Sequence, residues 1–215
     1  GIPEGAEERP RSLVGEAALW VEGIFRSYAE TGHLSVTVLR LFNVAGAERE
    51  GTNGEDHNPE RHLVPCLLNA LRARRRFVLW GDGLGTPDGT CMRDFVHVLD
   101  VAEAVRLSLE RPERPPFDLF NVCTGRGSTV REVIREAEEL TGQKVVVEVA
   151  QAGQDPESCR VGRCDKMQRE LGWEPRHSSL REILLSQWNF LLARPEAAKG
   201  QEEQSPELFG EVAVK

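Results

Sequence analysis

The chain has 215 residues, of which 40% are hydrophobic and 29% are charged, and its formal net charge is −8. This length and balance are typical of one folded domain with a sizeable core. Binding to duplex nucleic acid needs a basic face, and a membrane span needs roughly 20 apolar residues in a row. The acidic composition and the absence of such a run lead us to expect no nucleic-acid partner and no membrane insertion.

The five cysteines are scattered and form no C-x-x-C pair; they are Cys66, Cys91, Cys123, Cys159 and Cys164. This pattern is typical of reduced thiols and not of a disulfide framework or a zinc site. The first ten residues are acidic and have no apolar segment, so they do not resemble a secretory signal. We therefore expect a cytoplasmic protein without a metal site.

Helical and strand-like patterns alternate along the chain, which predicts an α/β fold. Apolar residues recur at helical spacing from Ser12 to about Glu30. The nearly continuous apolar run Leu34–Val44 predicts a buried parallel strand. A polar loop over 47–61 follows, then an amphipathic helix that begins near Val64, and a short strand at 77–80.

The second half of the chain continues the alternation. Asp100 is the predicted N-cap of a helix, and 117–122 is the predicted strand after it. Thr129 and Glu132 have the spacing of a capping box.

A strand at 145–149 precedes a last helix, which a capping box of Ser179 and Glu182 begins. The polar, acidic composition beyond that helix predicts a disordered tail at 196–215, which leaves residues 1–195 as the folded part.

Several segments of the sequence resemble those of one protein family. The segment GDGLGTPDGTCMRDFVHV at 81–98 resembles the substrate-side signature of the UDP-glucose 4-epimerase family, part of the extended short-chain dehydrogenases. LRLFNVAGA at 39–47 and GEDHNPERHLVP at 54–65 resemble the segments around the sugar nucleotide in that family. The resemblance implies a Rossmann-like extended short-chain dehydrogenase fold that is incomplete. It also implies that this chain holds the C-terminal, substrate-binding part without the N-terminal dinucleotide-binding half.

The resemblance further implies a UDP-sugar site. The matching residues are Asn43, His62, Leu63, Val78, Leu79, Trp80, Arg93 and Asp155. Arg93 matches the arginine that pairs with the diphosphate, a task that suits a planar guanidinium. The alternatives are that Arg93 only pairs with Asp94 on the surface, that 78–80 is ordinary core, and that His62 is only a helix cap.

The catalytic machinery of the family does not match this sequence. The family binds NAD at a Gly-rich turn between a strand and a helix, and no such turn occurs in these 215 residues. The family's catalytic tyrosine and lysine align with Val14 and Ala18. Tyr28, the only tyrosine, lies fourteen residues after Val14, about 21 Å along a helix. We therefore expect no catalytic residue in this chain, and no NAD bound by this chain alone.

Three functions follow as alternatives. The first is a truncated, inactive relative of UDP-glucose 4-epimerase, and the second is a non-catalytic UDP-sugar-binding or partner subunit. The third, a dehydratase or decarboxylase acting on a nucleotide sugar, fits the segment 85–94 poorly. The apolar stripe on the helix 12–30 favours a homodimer or a partner chain on that helix, because the matching helix in the family contributes to a dimer.

Overall fold

Helices and strands alternate through residues 1–150 and 158–194, which are the residues that the computed structural model describes. The helices are α1 (Leu13–Glu30), α2 (Leu63–Arg72), α3 (Val98–Glu110), α4 (Val130–Thr141), α5 (Asp165–Leu171) and α6 (Leu180–Leu192). The strands are β1 (Val36–Leu41), β2 (Asn43–Ala45), β3 (Arg76–Trp80), β4 (Met92–His97), β5 (Phe117–Val122), β6 (Gly127–Thr129), β7 (Val146–Ala150) and β8 (Cys159–Arg160). The predicted tail at 196–215 lies outside these residues, as does the predicted domain boundary at 195.

Within the described residues the strands form three small sheets. β1 pairs with β5 and β3 pairs with β7, both in parallel. In the third sheet β4 pairs in parallel with β2 and β8 and antiparallel with β6. The mainly parallel pairing with intervening helices confirms the predicted α/β, Rossmann-like class.

Strand β4 separates two apolar clusters because successive side chains of a strand point to opposite faces. On one face Phe95 joins buried residues of α2, β3, α4 and α6, a group that we call the α2 cluster. On the other face Val96 joins Phe120, Met167 and Trp173 in a group that we call the β5 cluster. The residues of β4 therefore contact both halves of the core.

The predicted strand at 34–44 is parallel but only partly buried. It forms as β1 and β2, and none of the residues of β1 is fully buried. In the described part of the chain β1 pairs only with β5, so its other edge is open. A central strand of a wider sheet would be covered on both faces and paired on both edges, which explains why its sequence suggested deeper burial.

Helix α1 begins and ends as predicted. Ser12 is its N-cap and accepts a hydrogen bond from the amide of Gly15. The helix packs on β1 and β5, but Ala29 is its only fully buried residue. Its exposed large apolar side chains are Leu13, Val14, Trp20, Val21, Ile24, Phe25 and Tyr28.

The predicted helix start at Asp100 is wrong, because α3 begins at Val98 after the N-cap His97. The Asp100 carboxylate lies in the first turn and is buried. It accepts hydrogen bonds from the amides of Arg176 and His177 at 3.0 and 2.9 Å. It therefore fastens the segment before α6 to α3, which sequence spacing alone could not reveal.

The capping predictions for the later helices hold to different degrees. The Thr129–Glu132 capping box is complete, and Gly142 closes α4 in the left-handed conformation. Ser179 caps α6 by accepting from the Glu182 amide. The Glu182 carboxylate instead contacts His177 at 2.7 Å. Within residues 1–150 and 158–194, no helix is both long and apolar enough to cross a lipid bilayer.

Candidate functional site

Arg93 is held inside the fold by main-chain oxygens. Its side chain lies on β4, and the residue is 5% exposed. Nη1 donates to the carbonyl of Met92 at 3.0 Å and to that of Ser158 at 3.2 Å. A buried guanidinium is tolerated only when it is hydrogen-bonded, and these bonds fix its orientation.

The alternative of a surface pair between Arg93 and Asp94 is wrong. Asp94 is fully buried and lies on the opposite face of β4. Its carboxylate accepts from the Thr124 amide and hydroxyl, the Gly125 amide and the Gly162 amide, at 2.7–3.2 Å. Asp94 therefore ties β4 to the loop after β5 and to the turn before α5.

A second arginine lies beside the first. In the parallel register of β4 and β8, Arg160 is the partner of Arg93. Paired positions share one face of a sheet, so two cationic side chains are neighbours there. The resemblance did not point to Arg160, because only the pairing of β8 with β4 brings it next to Arg93. Two adjacent guanidinium groups favour an anion such as a phosphate.

Asn43 lies on the same face of the sheet as Arg93. It opens β2 and pairs with Phe95, two residues along β4 from Arg93. Phe95 belongs to the α2 cluster, so Asn43 and Arg93 border that cluster. The amide of Asn43 supplies both a donor and an acceptor for a polar ligand.

Three of the residues that match the family's UDP-sugar site lie on β3, and their side chains are on two different faces of the strand. Leu79 is 2% exposed and belongs to the α2 cluster, so its side chain is core, as the alternative stated. Val78 and Trp80 lie on the other face of β3 and are half-buried. Only these two side chains, together with the main chain of β3, are open to a ligand.

His62 and Leu63 lie at the start of α2. His62 is the N-cap, but its side chain makes no capping hydrogen bond, so the helix-cap alternative is wrong for the imidazole. The Glu60 carboxylate accepts instead from the amides of Arg61 and His62 at 2.8 and 3.2 Å. Burial raises the pKa of the nearby Cys66 thiol to about 12, and the carboxylates of Glu60 and Glu55 add to this effect.

The positions that align with the catalytic pair lie in the first turns of α1. Val14 is 55% exposed, and Ala18 is exposed as well. Neither aliphatic side chain can move a proton or hydrogen-bond a nicotinamide ribose, so the residues at these positions do not fit NAD chemistry. Asp155, the remaining predicted ligand, lies outside the described residues.

A surface groove lies elsewhere on the molecule. It has a volume of about 500 Å³ and is bordered by Asp100, Glu103, Glu174, Arg176 and His177, among others. None of the predicted sugar-nucleotide residues that the structure describes borders this groove. Its acidic side chains outnumber its basic ones, which does not favour a diphosphate.

Two proteins of known activity are similar to this chain in sequence. The chain is 36% identical over 196 residues to a UDP-glucose 4-epimerase of Halalkalibacterium halodurans, covering 90% of this chain and 59% of that protein. It is 37% identical over 202 residues to the enzyme of Corynebacterium glutamicum, covering 92% and 61% respectively. The chain thus spans about three fifths of the length of these relatives.

A solved structure is similar as well. The UDP-glucose-4-epimerase of Stenotrophomonas maltophila, with bound NAD and formylated UDP-arabinopyranose, superposes with a TM-score of 0.84. It is 30% identical in sequence, and the match covers 89% of this chain and 58% of the other. The profile of the NAD dependent epimerase/dehydratase family matches residues 3–123, more than half of the sequence. The chain belongs to the NAD dependent epimerase/dehydratase family.

Proposed function

We propose that this chain binds a UDP-hexose as a UDP-glucose 4-epimerase-like protein of nucleotide-sugar metabolism. The observation that carries this proposal is the buried, oriented guanidinium of Arg93 with Arg160 beside it in the sheet. A planar guanidinium held in one orientation can hydrogen-bond two phosphate oxygens at once, and a second cation strengthens the attraction to a diphosphate. Asn43, on the same face of the sheet, contacts the sugar nucleotide.

The remaining contacts come from three other segments. Amides at the start of α2 attract the diphosphate, with the Leu63 amide donating to one phosphate oxygen and the His62 amide exchanging Glu60 for another. The uracil packs against Val78 and Trp80, and the main chain of β3 reads its polar edge. Asp155 binds the ribose hydroxyls in this proposal.

This polypeptide does not interconvert hexoses by itself. Without a tyrosine at position 14 and a lysine at position 18, no group takes the sugar hydroxyl proton, which commonly costs about 10²–10⁴ in rate. Hydride transfer needs NAD, and we propose that this chain alone does not bind that cofactor. The chain is therefore an inactive relative of the enzymes that it resembles.

The second candidate function is a non-catalytic UDP-sugar-binding or partner subunit. The exposed apolar stripe of α1 favours it, because apolar side chains at the catalytic positions suit packing against another protein surface. We propose a second copy of this chain as the occupant of the stripe, and a different partner chain is the alternative. Five free cysteines among the described residues support a reducing compartment such as the cytoplasm.

Calorimetric titration of the protein with UDP tests the site. Arg93→Lys keeps the charge but loses the planar fork, and we expect it to weaken UDP binding by about tenfold or more. Arg106→Gln is the matched control, because Arg106 is exposed on α3 and pairs with Glu103 and Glu110. Equal affinity in the wild type and in Arg93→Lys would remove Arg93 from the site, and no heat of binding in the wild type would end the proposal.

A further inference from the structure

Four side chains with metal-ligating atoms converge in the loop before α2. They are Glu55, His57, Glu60 and His62, and one ligand atom from each lies within 4.8 Å of all the others. Nδ1 of His57 is 3.1 Å from Oε1 of Glu55 and 3.7 Å from Oε1 of Glu60. Nδ1 of His62 contacts the same Glu55 oxygen. Two imidazole nitrogens and two carboxylates therefore face one small volume.

Nδ1 of His57 and Oε1 of Glu55 lie about as far apart as two ligand atoms of a tetrahedral ion. Zinc binds imidazole nitrogen and carboxylate oxygen at about 2.0–2.2 Å, which puts neighbouring ligand atoms about 3.3–3.6 Å apart. The separation of 3.1 Å between Nδ1 of His57 and Oε1 of Glu55 is slightly shorter than that range. Mixed nitrogen and oxygen ligands favour zinc and similar transition metals over calcium or magnesium.

The loop 54–62 is hydrogen-bonded to α6 close to the ligand Glu55. Gln187 of α6 is fully buried, and its Nε2 donates to the main-chain oxygen of Glu55 at 3.0 Å. Arg194 donates to the carboxylate of Asp56 at 2.5 Å. His62 occupies the N-cap position of α2, which itself packs on α6. Glu55 is thus bonded to α6, and His62 lies on a helix that packs on α6. Since the loop is held in place before the ion binds, the entropy lost on binding is small.

Exposure and charge also suit a cation. The side chains of Glu55 and Glu60 are 16% and 10% exposed, whereas those of His57 and His62 are 61% and 47% exposed. The carboxylates thus form the floor and the imidazoles the open rim through which an ion can enter. Two carboxylates supply a charge of −2, which balances a dication.

The four ligands are not equivalent. Oε1 of Glu60 already accepts from the amides of Arg61 and His62, and Oε2 accepts from the His57 amide. A carboxylate has about four lone-pair sites, so Glu60 retains one, on Oε2. Glu55, His57 and His62 are therefore the stronger ligands, and Glu60 completes the set.

We propose that Glu55, His57, His62 and Glu60 bind one divalent transition-metal ion of the zinc class. The ion fastens the loop 54–62 to the start of α2. His62 belongs to both proposals, because its amide faces the diphosphate and its imidazole binds the ion. The ion binds to the protein in the absence of any nucleotide. The expectation of no metal site came from cysteine spacing, which is insensitive to a set of histidines and glutamates.

Cobalt titration of the chelator-treated 215-residue protein tests the site. We expect one equivalent of Co²⁺ to give the visible absorption of a tetrahedral nitrogen and oxygen set, without thiolate charge-transfer bands. Zn²⁺ then displaces the cobalt. Glu55→Gln and His57→Asn each remove a direct ligand, so each should weaken binding by at least about 100-fold.

Control substitutions outside the cluster show whether a loss of metal binding is specific to its four residues. His33→Asn and Glu50→Gln change exposed residues of the same types outside the cluster, and they should bind cobalt like the wild type. Zn²⁺ should raise the melting temperature of the wild type but not that of His57→Asn, and the two proteins should melt alike in chelator. Absence of the cobalt spectrum at excess metal, a thiolate spectrum, or unchanged affinity in both ligand variants overturns the proposal. Failure of UDP binding leaves it intact.

Discussion

Nε2 of the His97 imidazole lies 2.9 Å from the hydroxyl of Ser186 and joins the end of β4 to α6. Nδ1 accepts from the Leu99 amide at 3.1 Å, so Nε2 carries the proton and donates to Ser186. The hydroxyl also accepts from the Ala47 amide and donates to the Ile183 carbonyl, both at 3.0 Å. All hydrogen-bonding positions of the hydroxyl are then used, and the imidazole is neutral.

This arrangement predicts a loss of stability in mild acid. Burial lowers the pKa of His97 below its ordinary value of 6.5, although the carboxylates of Asp100 and Glu182 oppose this shift. Below about pH 6.5 the unfolded chain takes up a proton at this position before the folded chain does, so the free energy of unfolding falls with pH. Melting temperatures measured across that range should decline, and His97→Gln should show a shallower decline. An equal slope in the variant would contradict this prediction.

The buried carboxylate of Asp94 predicts a large mutational effect. Asp94→Ala leaves the amides of Thr124, Gly125 and Gly162 without their acceptor, so the free energy of unfolding should fall by about 3 kcal/mol. Urea denaturation measures the change. In the control Asp82→Ala the lost contact to Arg131 is an exposed pair at 3.8 Å, worth at most about 1 kcal/mol. Similar losses in both variants would contradict the role of Asp94.

The stripe on α1 predicts self-association. Val21 and Phe25 are each about half exposed and lie one helical turn apart. Replacing both with glutamate should turn a dimer into a monomer in sedimentation experiments, because charged side chains do not pack in an apolar interface. Glu16→Lys changes a charge beside the stripe and should leave the dimer intact. A wild type that remains monomeric at high concentration would refute the interface.

The cysteines should differ widely in reactivity, because the thiolate is the nucleophile. The pKa of Cys66 is raised to about 12 and its side chain is buried, whereas Cys159 is exposed. Alkylation followed by mass spectrometry should label Cys159 early and Cys66 only after unfolding. Equal labelling rates in the folded protein would contradict the burial of α2, and labelling in denaturant provides the reference for complete reaction.

The sequence predicted elements whose signals are local. The apolar spacing of α1 and the capping box of Thr129 and Glu132 depend on residues within one or two helical turns, and both predictions are confirmed. The helix start at Asp100 was mispredicted because its partners lie 76–78 residues away in the chain. An aspartate before an apolar run has the same pattern whether it caps a helix or fastens a distant loop.

In the candidate site, too, some residues could be found from the sequence and others only from contacts between distant segments. Arg93 and Asn43 followed from the family resemblance, but the pairing that brings Arg160 beside Arg93 appears only in the sheet register. The periodicity of β3 could have shown that Leu79 points into the core, since Phe77 and Leu79 alternate with Val78. The E-x-H-x-x-E-x-H spacing from Glu55 to His62 is visible in the sequence, but the convergence of its side chains depends on the fold of the loop.

The measurement that tests the central claim most directly is a side-by-side binding and turnover experiment on one preparation of this chain. We expect UDP-glucose to bind and to raise the melting temperature, while NAD does neither. We also expect no conversion of UDP-galactose to UDP-glucose with NAD present. Binding of NAD, conversion of the hexose, or no response to UDP-glucose would each contradict a sugar-nucleotide site without the residues for its redox chemistry.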